Sequence, residues 1–470
     1  MGSTAIVWLR SDLRVHDHPA LFAAAQEHAR VVPLFVEDDR LMGARRGPRA
    51  AFLRGCLDEL DGALRERGAA LVVRSGRPED VVPVLAAEVG AAEVLWTSDV
   101  SPFARARDRA VTAALQAIGI APAPHPGRYC ADVSQPRTKA GRPLTVFTPF
   151  WRAQRELPRR AVFEAPAALR LPDGLDPGAL PAGPSLEDEL PEPFCRPGET
   201  AARAAMAAWI DGPVDAYADR HDDLTGGTSG LSPYLRFGCI SPRELEERAL
   251  DRGGDGAAAF VRQLAWRDFY AHVLLLHPDN ARLEFQPRYR DLAWDDDDEL
   301  LAAWTAGRTG YPLVDAGMRQ LAATGWMHNR ARMVVGSFLT KDLHLDWRAG
   351  EAWFGRMLLD GEPPQNNGNW QWVASTGVDP APYFRRIFNP VLQQEKFDPG
   401  GVYVRRWVPE LRDVPAARLT RPWTMSEVEQ REAGCVIGRD YPGPIVDHAA
   451  ERLVTMDRYR AVAASAGAAG

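Results

Sequence analysis

The sequence predicts two architectures in one chain: a parallel, doubly wound α/β sheet at the amino end, followed by an all-helical region. Three observations carry this. Residues 5–130 alternate short, continuous apolar runs with amphipathic ones. From residue 199 onward the patterning is helical, and that part holds 11 of the 14 tryptophans. Between them the pattern dissolves, and nine of the 38 prolines fall between Pro158 and Pro197.

The apolar runs 5–9, 31–36, 70–73 and 93–96 predict buried strands. Amphipathic stretches over 19–28, 49–67, 78–89 and 103–118 predict the helices between them. Such alternation gives a parallel sheet covered by helices, whose ligands bind at the carboxyl ends of the strands. No GxGxxG follows the first strand, so a dinucleotide site there has no support. The Arg10-Ser11-Asp12-Leu13-Arg14 run in its place fits a ligand site or a surface ion network. The expected division is residues 1–130 as the α/β domain, 131–198 as a proline-rich connector draped over the surface, and 199–470 as the helical domain.

At 470 residues two or three domains are expected. A hydrophobic share of 46% with 25% charged residues is the balance of a soluble protein. No apolar run reaches the ~20 residues of a membrane-spanning helix, and the amino terminus does not have the pattern of a signal peptide. Five cysteines without CxxC or metal-ligand spacing suggest reduced thiols and a cytoplasmic setting. His328 has no ligand-spaced partner, so no metal site is expected. A net charge of −7 means that a polyanion partner would need a local basic groove. Nothing demands more than a monomer.

The helical half carries the chemistry. Thirteen residues from Asp360 to Trp372 combine carboxylates, amides and two tryptophans around a helix end, a turn and a new helix. They suit a pocket for a polar heteroaromatic ligand, or a turn whose indoles fill the core. The 226–233 run offers three glycines and three hydroxyls ahead of a helix at 233–237, more than one cap requires, which favours phosphate binding. Gln263, Trp266, Arg267 and Tyr270 fall on one helical face, a stripe better suited to a polar aromatic cleft than to a core. Asn329, Arg332 and Met333 share a face too. A buried Arg332 would want a carboxylate such as Asp360, for structure or for a site. The acidic run 295–299 fits a solvated helix start.

These motifs together resemble the photolyase/cryptochrome family. The likeness runs from Val7-Trp8-Leu9-Arg10-Ser11-Asp12-Leu13-Arg14 through Gly227-Thr228-Ser229, Trp266-Arg267-Asp268-Phe269-Tyr270 and Gly310-Tyr311-Pro312. It continues in Gly325-Trp326-Met327-His328-Asn329-Arg330, the 360–372 stretch and Pro382-Tyr383-Phe384-Arg385. The resemblance implies an α/β antenna domain and an all-helical FAD-binding domain with one FAD per chain, active when reduced. It assigns Tyr217, Thr228, Ser229, Gly230, Leu231 and Ser232 to the phosphates and ribose. Arg267, Asn329, Arg332, Asp360, Glu362 and Asn366 would surround the flavin rings and adenine, with Asn366 against flavin N5. Trp370, Trp347 and Trp294 match the family's electron-transfer chain, although core packing remains open for the latter two.

The reaction implied is light-dependent repair of cyclobutane pyrimidine dimers in damaged DNA, with the dimer flipped out of the helix. Trp266 and Trp372 would wall the dimer, and Gln263 and Met333 would contact it. Arg330 and Arg385, with Arg386 and Lys396 nearby, would hold phosphates. Histidines stand in (6-4) photolyases where this chain has Asn329 and Met333, and the carboxyl-terminal extension usual in cryptochromes is not seen. A light sensor without repair is the other reading. Gln263 stands where a Glu is often found, Glu362 where Asp is common, and Gly230 where Arg is common. Arg49 and the Asp99 loop are more similar to relatives with a deazaflavin antenna than to those with methenyltetrahydrofolate. An empty or flavin-filled antenna site stays open.

Overall fold

The computed structural model describes residues 2–42, 47–379 and 381–468. These form two compact units. The first comprises residues 1–189, 195–218 and 229–278, and the second 190–194, 219–228 and 279–470.

In the first unit five strands, β1 (Thr4–Leu9), β2 (Arg30–Glu37), β3 (Val72–Ser75), β4 (Ala91–Thr97) and β5 (Ala121–His125), pair in the order β3-β2-β1-β4-β5. All pairings are parallel. Every residue of β1 is buried, as a central strand covered on both faces requires. Ile6, Trp8, Val32, Leu34, Val72, Val94 and Trp96 form one core with residues of α3 (Pro78–Glu88) and α4 (Pro102–Ala117). Helices α1 (Pro19–Glu27) and α2 (Pro48–Arg65) complete the alternation. These four helices begin on proline, whose missing N–H costs nothing at a helix start. Strand order reverses beside β1, so the carboxyl ends of β1 and β4 flank the crevice where such sheets hold ligands.

Three details depart from the sequence reading. The third strand begins at Val72, two residues late. Strand β5, Ala-Pro-Ala-Pro-His, lies at the sheet edge, where prolines that cannot donate are tolerated. Within 131–198, helix α5 (Phe147–Arg155) buries Phe147 and Phe150, so this part of the connector packs as structure.

The unit continues with α6 (Glu199–Ile210), α7 (Ser232–Phe237), α8 (Pro242–Arg252) and α9 (Gly254–Leu276). Leu13 N–H donates to Phe237 O at 3.1 Å, and the Glu199 carboxylate accepts from Val15 and His16 N–H at 2.7 and 3.0 Å. The loop after β1 is thus tied to α6 and α7. Arg14 is buried and donates to the carbonyls of Asp17 and Gly238, and Asp12 lies buried beside His18 at 3.0 Å. Neither belongs to a surface network.

The second unit is helical: α10 (Asp298–Thr305), α11 (Pro312–Thr324), α12 (Asn329–Ser337), α13 (Trp347–Met357), α14 (Pro363–Ala374), α15 (Pro390–Phe397), α16 (Val402–Trp407), α17 (Glu427–Glu432) and α18 (His448–Ala468). Asp297 caps α10, its carboxylate accepting from Leu300 N–H at 2.9 Å. A wide π-type turn, Phe338–Asp342, extends α12. Trp304, Trp347 and Trp370 are buried in one core with Leu313, Val335 and Phe338, and Trp294 packs at its edge. Glycine permits the closest approach: a Cβ on Gly350 of α13 would lie 2.1 Å from the Trp370 ring on α14.

Candidate functional site

In the second unit the sequence-predicted groups gather on α12 and around the start of α14. His328 caps α12, its Nδ1 accepting from Arg330 N–H at 3.1 Å. Accepting there leaves the ring proton on Nε2, which is buried with no hydrogen-bond partner. Burial, foremost, holds this imidazole neutral by lowering its pKa to about 4. One turn on, Arg332 forms a two-bond pair with Asp360, at 3.1 and 2.8 Å, and its Nε donates to Met327 O at 2.8 Å. Asp360 is 8% exposed, so the carboxylate is buried, whereas the Arg332 guanidinium is half-buried. The expected carboxylate partner of Arg332 is therefore in place.

Asn329 is exposed and Met333 half-buried on the same helix, with the Asn329 amide 3.7 Å from the Met333 sulfur. Glu362 is the buried residue at which α14 begins, and Asn366 N–H donates to its carbonyl at 2.8 Å. Asn366 Nδ2 donates to Glu351 O at 2.9 Å, which anchors the amide. Asn366 and Trp370 are four residues apart and share a face of α14.

The three tryptophans of the expected chain have different surroundings. Trp370 sits against Phe354 and Trp304, at centroid distances of 5.0 and 6.2 Å, and its N–H has no hydrogen-bond partner. Trp347 is fully buried, and its N–H donates to the Glu284 carboxylate at 3.2 Å. Trp294 is half-buried, followed by Asp295, whose N–H donates to His344 O. Glu284 has no counterpart in the sequence reading.

Of the phosphate candidates, Arg385 is exposed in the turn Tyr383–Arg386, and Lys396 is exposed on α15. Arg330 is paired with Asp222 at 2.6 Å, with Phe397 4.2 Å below the guanidinium. Arg386 corrects the expectation. It is 2% exposed, stands 4.1 Å over the Trp372 ring and donates to Trp372 O at 2.9 Å. It supports Trp372, whose N–H donates to Asp379 at 3.0 Å, and is not a surface cation.

In the first unit, Gln263, Trp266 and Arg267 follow one another along α9, exposed, half-buried and buried respectively. Trp266 stacks on Phe147 of α5 with centroids 3.8 Å apart and planes 7° from parallel. Arg267 donates to Arg128 O at 2.7 Å and lies over Tyr129. Asp268, beside it, accepts from Cys130 N–H and the Gln154 amide, and burial pushes its carboxyl up to about 7. Tyr217 packs edge-on against Trp209 and Phe260. The unit boundary falls between Thr228 and Ser229. Ser229 Oγ accepts from Leu231 N–H at 3.3 Å, Leu231 is buried, and Ser232 opens α7. Gly230 has φ +65°, a backbone region that favours glycine.

At the carboxyl ends of β1 and β4, Arg10 pairs with Asp108 and donates to Thr97 O. Arg10 and Arg107 lie on the Trp8 ring at 4.6 and 4.9 Å. Asp99 accepts from Ser101 N–H at 3.0 Å and faces Arg128 at 3.4 Å. Although burial raises its pKa, Arg128 and the Ser101 N–H together hold the carboxyl well below the usual range. Arg49 is half-buried at the start of α2. Sequence reasoning placed Arg10 near a strand end and Asp108 at the close of the Asp99 segment, with no signal that the two, 98 residues apart, would pair.

The α/β unit carries paired charges at the carboxyl ends of β1 and β4, and the helical unit holds an arginine–carboxylate pair and an amide–indole face; these features define a two-part flavoprotein-like class with which known proteins can be compared. Two family models match the chain: "DNA photolyase" over residues 5–168 and "FAD binding domain of DNA photolyase" over 260–461. A deoxyribodipyrimidine photo-lyase of Streptomyces griseus is 43% identical, covering 96% of this chain and 98% of its own. A crystal structure of a class III photolyase from Agrobacterium tumefaciens has a TM-score of 0.90 at 36% identity, covering 98% of both chains. A Synechocystis cryptochrome has a TM-score of 0.89 at 30% identity, covering 97% of this chain and 99% of its own. The chain belongs to the DNA photolyase family of enzymes.

The residues fit a flavin in their chemistry. One guanidinium, two primary amides and two carboxylates supply both donors and acceptors for the mixed edge of a heteroaromatic ring system.

Proposed function

We propose that the protein repairs cyclobutane pyrimidine dimers in DNA under blue light. What carries the proposal is the α12–α14 constellation: Arg332 held bidentately by Asp360 at 2.8 and 3.1 Å, with Asn329 and Asn366 at the two helix starts. Reduced FAD, when bound, supplies the electron that splits the dimer and takes it back. The residues of the chain bind, orient and insulate.

Arg332, Asp360, Glu362, Asn329 and Asn366 are assigned to the flavin rings and adenine, with Asn366 against N5. Arg267, Tyr217 and residues 228–232 are assigned to the remaining contacts, chiefly phosphates and ribose. Photolyases are among the enzymes that extrude their target nucleotide. Trp372, braced by Arg386 and Asp379, is proposed as one wall for the extruded dimer, and Trp266 as another. Gln263 and Met333 are assigned contacts with the lesion. Arg385 would meet backbone phosphates, and Arg330 would do so from its pair with Asp222. Trp370, Trp347 and Trp294 would bring electrons to the flavin from the surface. Residues 1–130 would carry an antenna pigment near Arg49 and Asp99, a deazaflavin ahead of methenyltetrahydrofolate. Residues 131–198 would link them to a catalytic part at 199–470, in a cytoplasmic monomer.

The likeness to a cryptochrome favours one second reading, a light sensor without repair. Blue-light illumination of reduced protein with two oligonucleotides in parallel, one carrying a cyclobutane thymine dimer and one a (6-4) lesion, separates the readings. Restored thymines in the first alone are expected. Repair of the (6-4) lesion alone would overturn the dimer assignment, and repair of neither would leave the sensor.

A further inference from the structure

Trp347 has an environment that core packing does not require. Its N–H donates to Glu284 Oε1, and Glu284 is itself 3% exposed. A buried indole needs only a carbonyl, as Trp304 shows by donating to Val335 O at 3.0 Å. A carboxylate in that place carries a desolvation cost. It is held by Arg348, 2.8 Å away, which lies 4.6 Å from the Trp347 centroid and also pairs with Asp346 at 3.1 Å. Arg348 donates further to Arg282 O, and Arg290 to Glu284 O, so the segment bearing Glu284 is tied on both sides. The Trp347 N–H therefore meets a carboxylate whose own cation lies beside the indole ring. Trp370 has aromatic neighbours and an unpartnered N–H.

We propose that Glu284 is a positioning residue for photoactivation, making Trp347 easier to oxidise than Trp370 and so directing the electron hole away from Trp370. This rests on the reading that the tryptophans form an electron chain. In the step concerned, one electron passes from Trp347 to the oxidised Trp370. Trp370 returns to its closed-shell form and Trp347 becomes a radical cation. No bond is made or broken; the Nε1 proton stays on the indole in its hydrogen bond to Glu284. An anion bonded to that N–H stabilises the positive ring far more than the neutral one. Trp347 and Glu284 are both buried, so water and salt screen this pair only weakly.

The test is flash photolysis of full-length, flavin-loaded protein with the flavin oxidised, following the absorption of tryptophan radicals. Glu284→Gln keeps a hydrogen-bond acceptor and removes the charge; the yield of long-lived radicals is expected to fall about tenfold, the value of a charge-assisted bond. Glu284→Asp keeps the charge and is expected to hold the yield within about threefold of the parent, a range well under that bond's worth. Trp347→Phe separates the two levels. If it keeps the parent yield, the chain reading fails. If it abolishes the radicals while Glu284→Gln matches the parent, the role of Glu284 is refuted.

Discussion

Arg332 is the residue on which the candidate site turns. Its two bonds pair a half-buried guanidinium with the buried Asp360 carboxylate, so removing Arg332 leaves that carboxylate uncompensated. Arg332→Ala is expected to destabilise the protein by about 3–5 kcal/mol and to lower the flavin-to-protein absorbance ratio. Replacing both, as Arg332→Met with Asp360→Leu, should restore much of the melting temperature without restoring flavin. Recovery of both would make the pair structural only. The pair was legible in the sequence because a helix-face arginine among apolar residues needs a nearby anion, and Asp360 is only 28 positions away. The Glu284–Trp347 and Arg330–Asp222 contacts were not legible, since they join residues 63 and 108 positions apart with no periodicity to announce them.

At the scale of elements, α12 depends on a neutral imidazole cap. The His328 pKa is lowered to about 4 by burial first, with the cations Arg332 and Arg330 lowering it and Asp222 and Asp223 raising it. Between the ordinary value of about 6.5 and 4 the unfolded chain binds a proton that the folded chain refuses. Stability is therefore lost as pH falls through that window, by about 3 kcal/mol in all. Melts at pH 7, 5.5 and 4 should show the loss, and His328→Asn, an amide cap, should flatten it. An unchanged slope would assign it to another group. The α13–α14 contact makes a second expectation. Gly350→Ala would place a methyl 2.1 Å from the Trp370 ring and 2.6 Å from Leu339 Cδ2. Overpacking of that kind costs about 1–3 kcal/mol, more than the ~0.5–1 kcal/mol an alanine gains over glycine in a helix, so the melting temperature should drop. A rise would mean the helices can part cheaply. Periodicity located the four apolar strands and their helices within a few residues, because continuous apolar runs and amphipathic stretches are local signals. It passed over β5 and α5 because proline in the one, and proline-rich flanks around the other, mask elements whose stability comes from their neighbours.

At the scale of the molecule, a chain of net charge −7 is proposed to bind a polyanion, so its cations must be placed locally. Arg385 and Lys396 are exposed, whereas Arg330 and Arg386 are bound to carboxylates. Arg385→Ala is thus expected to weaken binding of dimer-containing DNA and to lower the salt slope by about one unit, as loss of one phosphate contact does. Titrations at several salt concentrations measure it, and an unchanged slope would remove Arg385 from the DNA face.

The most direct measurement is single-flash repair of an oligonucleotide with one cyclobutane thymine dimer, bound to chemically reduced protein and compared with a dark control. Thymine recovery is expected to require light, to survive in Trp347→Phe because the flavin is already reduced, and to be lost in flavin-free protein. Intact dimers after illumination of flavin-loaded, reduced, DNA-bound protein would contradict it.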